Sequence, residues 1–425
     1  MLDCGGPTRG NAAPARPLIS YMHGCLYKSF GTPLQTPRLE VHLAPCELEI
    51  SLHSNNILHT YSSAIHSTRS NTSQYTMSQT AASQPTPSPW PKPLRPPYDP
   101  LLQPGIDSMN DQFPEVLDLA RLRQVDDTLG IDRVLKAHPN FDHEDVSVPG
   151  LAPDDAPVTL TVFTPKGSTR TDRPCLYFVH GGGQIACHRF AALDAVMGYF
   201  SPSAETVFVA VEYRLAPEHR APAALHDAYA GLLWTAENAA RLGIDPAKII
   251  VNGGSGGGPI AMGTAMLCRD NRKSFPFALM LLTPMLDDRG ATSSAAQFAR
   301  DGPWCGTTNR MAWDHVLGAE RGADTVSELV APARATDLRG MPQTFIDAGA
   351  CEVFRDEAVA VASTLWRCGV NAELHVWPGA YHGFDILSQD APVALFATEV
   401  KRAWLKRVIE AREKELGGAG VKTVG

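Results

Sequence analysis

Ile249-Ile250-Val251-Asn252-Gly253-Gly254-Ser255-Gly256-Gly257-Gly258-Pro259 decides how the rest of the chain is read. A short β-branched apolar run ends in a serine set among glycines, and the small-residue stretch Ile260-Ala261-Met262-Gly263-Thr264-Ala265-Met266 follows. The order is strand, tight turn, helix. Gly253-Gly254-Ser255-Gly256-Gly257 fits G-x-S-x-G, in which the sharp turn strains the serine backbone, lifts its Oγ above the sheet and leaves no room for neighbouring Cβ atoms. Ser255 is therefore a candidate nucleophile. A glycine-rich strand-to-helix turn can equally cradle a phosphate at the helix N-terminus, so the turn by itself leaves both chemistries open.

Outward from this turn the chain alternates β and α. Nearly continuous apolar runs at Cys175–Val179, Val207–Val211, Ile249–Val251, Ala278–Leu282, Thr344–Ile346 and Leu374–Trp377 have the texture of parallel strands buried on both faces. Two earlier segments, Glu144–Val148 and Val158–Phe163, read as an antiparallel edge pair, the second by its alternation. Helices are expected over Phe354–Trp366, with Phe354, Ala358, Val361, Ala362 and Leu365 as one stripe, and over Pro392–Glu415, with Val393, Phe396, Ala397, Val400, Trp404, Val408 and Ala411 as another. Pro392 suits a first helical turn and Gly417-Gly418 a helix end. The expected fold class is α/β: a mostly parallel central sheet with helices on both faces.

Residues 1–97 are rich in Ser, Thr, Pro, Asn and Gln without a sustained period and read as a disordered extension, with Pro85–Pro93 as an extended linker. Met77 opens a more ordinary N-terminus, which raises the hypothesis that residues 1–76 lie outside the working protein. The catalytic domain is then 98–425. At 425 residues the chain can bury a generous core. A net charge of −8 without a basic block argues against nucleic acid or an anionic membrane surface as partner, and no apolar run approaches the roughly 18–20 residues of a membrane span. Nine cysteines lie scattered without zinc spacing. Cys175, Cys268, Cys351 and Cys368 read as reduced, buried small hydrophobes. No secretory apolar region opens the chain, and a cytoplasmic protein without metal or organic cofactor is the expectation.

After the strand ending at Val179 stands His180-Gly181-Gly182-Gly183. Glycines at a strand's carboxyl end let the backbone approach a ligand and aim successive N–H groups at one point, which suits a developing oxyanion. His180 fits a loop-orienting hydrogen bond better than a proton shuttle. A nucleophilic serine also needs a base, and the base an orienting carboxylate. His382, in Trp377-Pro378-Gly379-Ala380-Tyr381-His382-Gly383-Phe384, follows the last strand and is the candidate base.

His180–Gly183, then Tyr213-Arg214-Leu215-Ala216-Pro217-Glu218, then the serine turn resemble in order and spacing the hormone-sensitive-lipase-like (bacterial family IV) carboxylesterases of the α/β-hydrolase fold, over roughly Asp99 to Ala411. The resemblance implies that the amides of Gly182, Gly183 and Gly256 form an oxyanion hole, and that Tyr213–Glu218 is a structural loop. It places the triad acid at Glu352, where relatives often carry aspartate in a motif like D-P-L-R-D-E. Asp347 is the alternative acid, and Asp356 and Glu357 read as first-turn complements of a helix dipole. A second departure lies at the turn, where many relatives read Gly-Asp-Ser-Ala-Gly-Gly and this chain has glycine on both sides of Ser255, a looser arrangement. Pro284–Arg289 with Trp304, Asn309 and Trp313 resembles an insertion that, with the segment before Glu144, implies a cap from about 98–140 and 287–330. Asp287 and Arg289 are expected to pair. The implied activity is hydrolysis of small to medium acyl esters by a serine carboxylesterase. An amidase, deacetylase or lactonase could use the same groups, and a non-catalytic receptor on this fold would have lost part of them.

Overall fold

The computed structural model describes residues 94–112, 118–124 and 130–419. The expectations for residues 1–93, including the boundary at Met77, lie outside the described residues.

Each apolar run read as a strand is one. β1 (Phe141–Val148), β2 (Val158–Pro165), β3 (Arg173–Val179), β4 (Val207–Glu212), β5 (Ile244–Gly254), β6 (Ala278–Leu282), β7 (Gln343–Gly349) and β8 (Ala372–Trp377) form one eight-stranded sheet in the order β1-β2-β4-β3-β5-β6-β7-β8. β2 is antiparallel to both β1 and β4, and every other pairing is parallel. Side chains alternate between two cores. Cys175, Tyr177 and Val179 of β3 enter one, while Leu176 and Phe178 enter the other. That double burial is why β3 reads as unbroken hydrophobicity, with about 1.5–3 kcal/mol gained for each large apolar side chain removed from water.

The helices that cover the sheet follow from the same alternation. α1 (Gln103–Gln112), α2 (Leu119–Gln124) and α3 (Ile131–Ala137) precede it; α4 (Leu193–Met197), α5 (Ala223–Glu237), α6 (Ala239–Leu242) and α7 (Gly257–Asp270) fall between β3 and β6; α8 (Ser293–Gln297) and α9 (Gly306–Leu317) follow β6; α10 (Arg355–Arg367), α11 (Phe384–Leu387) and α12 (Pro392–Ala419) complete the set. α5, α7 and α10 share the first core, and α3, α4 and α12 the second.

Several expectations need correction. β2 does not alternate: Leu160, Thr161, Val162 and Phe163 are all buried, because both its faces are covered. The α10 stripe is buried as expected, but in α12 Phe396 is 63% exposed and the inward face runs instead through Ala394, Ala397, Lys401, Trp404, Leu405 and Val408. A lysine occupies the middle of that face. α12 also continues through Gly417 and Gly418 to Ala419. Residues 94–97, read as the end of the disordered extension, are held by side chains: Gln297 donates to the Leu94 carbonyl at 2.7 Å, Arg95 pairs with Asp301 at 2.6 Å, and the Cys351 thiol meets the Pro97 carbonyl at 3.2 Å.

Candidate active site

The serine turn lies where β5 meets α7. Ser255 has φ of 51°, in the left-handed region that a side chain ordinarily avoids. What holds it there is the end of β6: the Ser255 N–H donates to the Leu282 carbonyl at 2.9 Å, and the Ser255 carbonyl accepts from Met285 at 3.0 Å and Gly258 at 2.9 Å. The glycines around it are filled space rather than slack. A Cβ on Gly256 would lie 2.4 Å from the Gly183 nitrogen, and one on Gly257 would lie 2.3 Å from the Val179 carbonyl oxygen. The alanine of relatives has no room at 256 because the 180–183 loop occupies its place. The looser turn expected from the sequence is therefore a tight one.

That loop carries Gly182 at φ 94° and Gly183 at φ 62°, both left-handed, and a Cβ on Gly183 would strike the Trp304 ring at 2.5 Å. Among the described residues no backbone carbonyl accepts from the N–H of Gly182, Gly183 or Gly256. His180 is fully buried and stacks on Tyr213 with ring centroids 4.0 Å apart. Burial pushes its pKa down to about 3, so it is neutral, and its Nδ1 bonds the Gly181 carbonyl at 2.9 Å. The Tyr213 hydroxyl donates to the His180 carbonyl at 2.9 Å. Further along the same stretch, Arg214 grips buried Asp227 at 2.7 Å and Glu218 pairs with Arg123 of α2 at 2.7 Å.

His382 stands between Ser255 and Glu352. Its Nε2 is 3.0 Å from Ser255 Oγ, and its Nδ1 is 2.6 Å from Glu352 Oε2. Glu352 is 2% exposed, and its other oxygen accepts the Gly349 N–H at 2.7 Å. The acid and histidine loops are joined by backbone: Ala350 donates to Trp377 at 2.8 Å and Cys351 to Ala380 at 2.9 Å. Gly349 permits this approach, since a Cβ there would lie 2.2 Å from the Ala380 oxygen. The Phe354 ring meets the imidazole edge-on at 5.2 Å.

Asp347, the alternative acid, does not reach His382. It is fully buried elsewhere, accepting from Trp377 Nε1 at 3.0 Å and pairing with Lys401 Nζ at 3.1 Å. Lys401 also pairs with Asp385, which accepts from the Tyr199 hydroxyl at 3.0 Å. Burial works against the lysine charge, yet the two carboxylates outweigh it and hold its pKa well above the usual range. Asp356 and Glu357 do more than complement a dipole. Asp356 accepts the Ser294 N–H at 2.7 Å, while Glu357 is buried and accepts the Leu286 N–H at 2.9 Å. Burial, reinforced by Asp287 and Glu352, raises the Glu357 pKa well above the usual carboxylate range. Asp287 and Arg289 pair at 2.8 Å, as expected.

One contact had no signal in the sequence. Arg123 donates to the Ile185 carbonyl at 2.8 Å and to the Ala216 carbonyl at 3.0 Å, tying α2 to the segment after the glycine loop. Leu119 and Leu122 of α2 pack with Trp304 and Trp313, whereas α3 joins the core around Phe208. Among the described residues no group of three His, Cys, Asp or Glu side chains is placed to hold a metal ion, and no helix is long and apolar enough to cross a membrane.

The chain as a whole is similar to known proteins. Residues 176–386 match the model of a family described as alpha/beta hydrolase fold. The chain is 34% identical over 250 residues to carboxylesterase NlhH of Mycobacterium tuberculosis, across 57% of this chain and 76% of that protein. Esterase LipI of the same organism is 28% identical over 314 residues, covering 69% and 96% respectively. Among solved structures, a bacterial heroin esterase superposes with a TM-score of 0.65 at 31% identity, covering 72% of this chain and 98% of that one. By these matches the chain belongs to the alpha/beta hydrolase fold family, in its hormone-sensitive-lipase-like branch.

Proposed function

We propose that the protein is a serine carboxylesterase acting on small to medium acyl esters, with Ser255, His382 and Glu352 as its triad. One observation carries the reading: a single imidazole bridges a strained serine hydroxyl at 3.0 Å and a buried carboxylate at 2.6 Å. Glu352 fixes the tautomer that leaves Nε2 free to accept a proton, and it offsets the imidazolium charge that then develops. As Ser255 Oγ attacks the ester carbonyl, His382 takes its proton and the carbonyl π pair moves onto oxygen. The amides of Gly182, Gly183 and Gly256 stabilise that oxyanion. Collapse expels the alkoxide, which leaves with the proton from His382. Water, deprotonated by the same base, attacks the acyl-enzyme and a second collapse frees Ser255 and the acid.

Residues 118–124 and 287–330 act as a cap; of the expected 98–140, α3 lies instead in the core around Phe208, and Leu102 and Ile106 pack with Trp377 and Tyr381. Packing of α2 with Trp304 and Trp313, and of Trp304 against Gly183, supports this role, because it places apolar walls beside the oxyanion loop. The reduced thiols of Cys175, Cys268 and Cys351 support a reducing, cytoplasmic setting.

Fluorophosphonate labelling followed by peptide mapping tests the assignment. Label is expected on Ser255, and Ser255→Ala is expected to lower turnover of p-nitrophenyl acetate by about 10⁶-fold. Label on another serine, or full turnover by the alanine variant, would refute it.

A further inference from the structure

A cavity of about 380 Å³ lies between α8 and α9. Gly306, Asn309, Arg310 and Trp313 line it from α9, and positions i, i+3, i+4 and i+7 share one helix face. Ala312, the α9 residue beside Gly183, lies roughly 100° round the helix from Trp313. Asn309, by contrast, is three residues before Ala312 and accepts from Trp304 Nε1 at 3.4 Å, so the cavity adjoins the face of α9 turned to the glycine loop, but none of Ser255, His382 or Glu352 lines it.

The chemistry of its wall is two-sided. Opposite α9 stand the methyl groups of Ala291, Ala295, Ala296 and Ala299, which leave room for an apolar body. Around them are the guanidinium groups of Arg289, Arg310 and Arg321. Arg289 is held by Asp287 through Nε and Nη2 at 2.8 Å each and Arg321 by Asp314 through Nε at 2.5 Å, whereas Arg310 has no partner among the described residues. Asp288 supplies the carboxylate in the wall, but Arg334 binds it at 2.6 and 2.9 Å and the Gly322 N–H at 2.7 Å, so its charge is already balanced. A positive excess remains. The Trp313 side chain is 1% exposed and its indole N–H has no acceptor. Buried donors seldom go unpaired in folded proteins.

We propose that this cavity binds a small organic carboxylate with a compact apolar body. Its carboxylate sits on Arg310, whose planar guanidinium fork suits it, with the edge of Arg321 left open by Asp314 beside it. Its alkyl or aryl part lies on the alanine wall. The volume falls within the usual range of small-molecule sites. Occupancy here needs no hydrolysis, so this inference goes beyond the esterase reading, although acids released by ester cleavage belong to the class.

The test uses full-length protein whose Ser255 has been phosphonylated, closing the catalytic pocket, titrated calorimetrically with sodium hexanoate and, separately, hexan-1-ol. Saturable one-to-one binding of hexanoate and none of the alcohol is expected. Arg310 is an exposed side chain, so Arg310→Glu should leave the melting temperature unchanged and weaken binding by about tenfold or more. Absence of saturable binding, equal affinity for hexan-1-ol, or undiminished affinity in Arg310→Glu would overturn the site. If Ser255 resists labelling, the esterase assignment fails on its own, and Ser255→Ala protein carries the same titration.

Discussion

Two clusters of buried charge sit near the carboxyl ends of β7 and β8, and they solve the same desolvation problem differently. In one, Glu352 is set against the neutral or cationic imidazole of His382, which still faces Ser255 and is partly open. In the other, Asp347 and Asp385 enclose Lys401, whose side chain is 2% exposed, and the hydroxyl of Tyr199 and the indole of Trp377 supply further hydrogen bonds. The first keeps a proton acceptor available. The second leaves no partner open, and it ties β7, β8, α11 and α12 together beneath the histidine loop. Buried carboxylates are therefore not evidence of chemistry on their own; what distinguishes Glu352 is a partner that can change charge.

The sharpest way to break that contrast is to remove one carboxylate from each cluster. Glu352→Ala is expected to lower kcat by about 10⁴-fold with little change in thermal stability, because the imidazole loses its orienting charge. Asp347→Asn should keep kcat within about tenfold of wild type, since nothing it touches meets the substrate. Steady-state kinetics on active-site-titrated protein decides the matter, and the reverse order would move the triad.

Next in size is the ionic cluster itself. Lys401→Met leaves two carboxylates buried without their cation, a loss expected to cost about 3–5 kcal/mol of folding stability. Denaturant unfolding measures it. The fraction that remains folded should turn over at the wild-type rate per titrated serine; a kcat that fell in step with Glu352→Ala would merge the two clusters into one catalytic unit.

A smaller effect separates tightness of backbone from arrangement of charge. The Cβ of Gly256→Ala must displace the Gly183 nitrogen or the turn, from a starting separation of 2.4 Å. Because the donors are then misaimed rather than lost, kcat should fall by about 10- to 10²-fold, less than removal of a donor outright. An unchanged kcat would mean that the 180–183 loop yields freely.

How much of this was legible follows from how local each signal is. The strands were, because double burial writes itself as unbroken Val, Ile and Leu. Ser255, His382 and the glycine loop were, because a strained turn and close backbone approach admit few residue types. Lys401 was the misread position. A lysine in the apolar face of α12 looks like a fault in the pattern until Asp347 and Asp385, distant in sequence, are placed beside it, and the stripe was drawn through exposed Phe396 instead. Gly256 was misjudged for the same reason: the atoms that exclude a methyl group there belong to a loop some seventy residues earlier.

Glu357 offers the finest division between the clusters, through pH. Its pKa in the folded protein is raised by burial, so above the unfolded value of about 4.3 the native state holds a proton that the unfolded chain has lost. Wild-type stability therefore declines as pH rises from that value toward the folded one. Glu357→Gln, which cannot ionise, lacks the decline. The Lys401 cluster behaves oppositely: the lysine pKa is raised and that of Asp385 is lowered by Lys401 against the effect of burial, so its contribution disappears only as pH falls through the lowered carboxylate value or rises through the raised lysine value. Between pH 5 and 8 it is constant. The melting temperature of Glu357→Gln relative to wild type should thus climb by roughly 2–4 °C across that interval, while the deficit of Lys401→Met stays level. A flat difference for Glu357→Gln would mean that its carboxylate ionises in place, with the Leu286 amide sufficient to hold the charge beside Glu352.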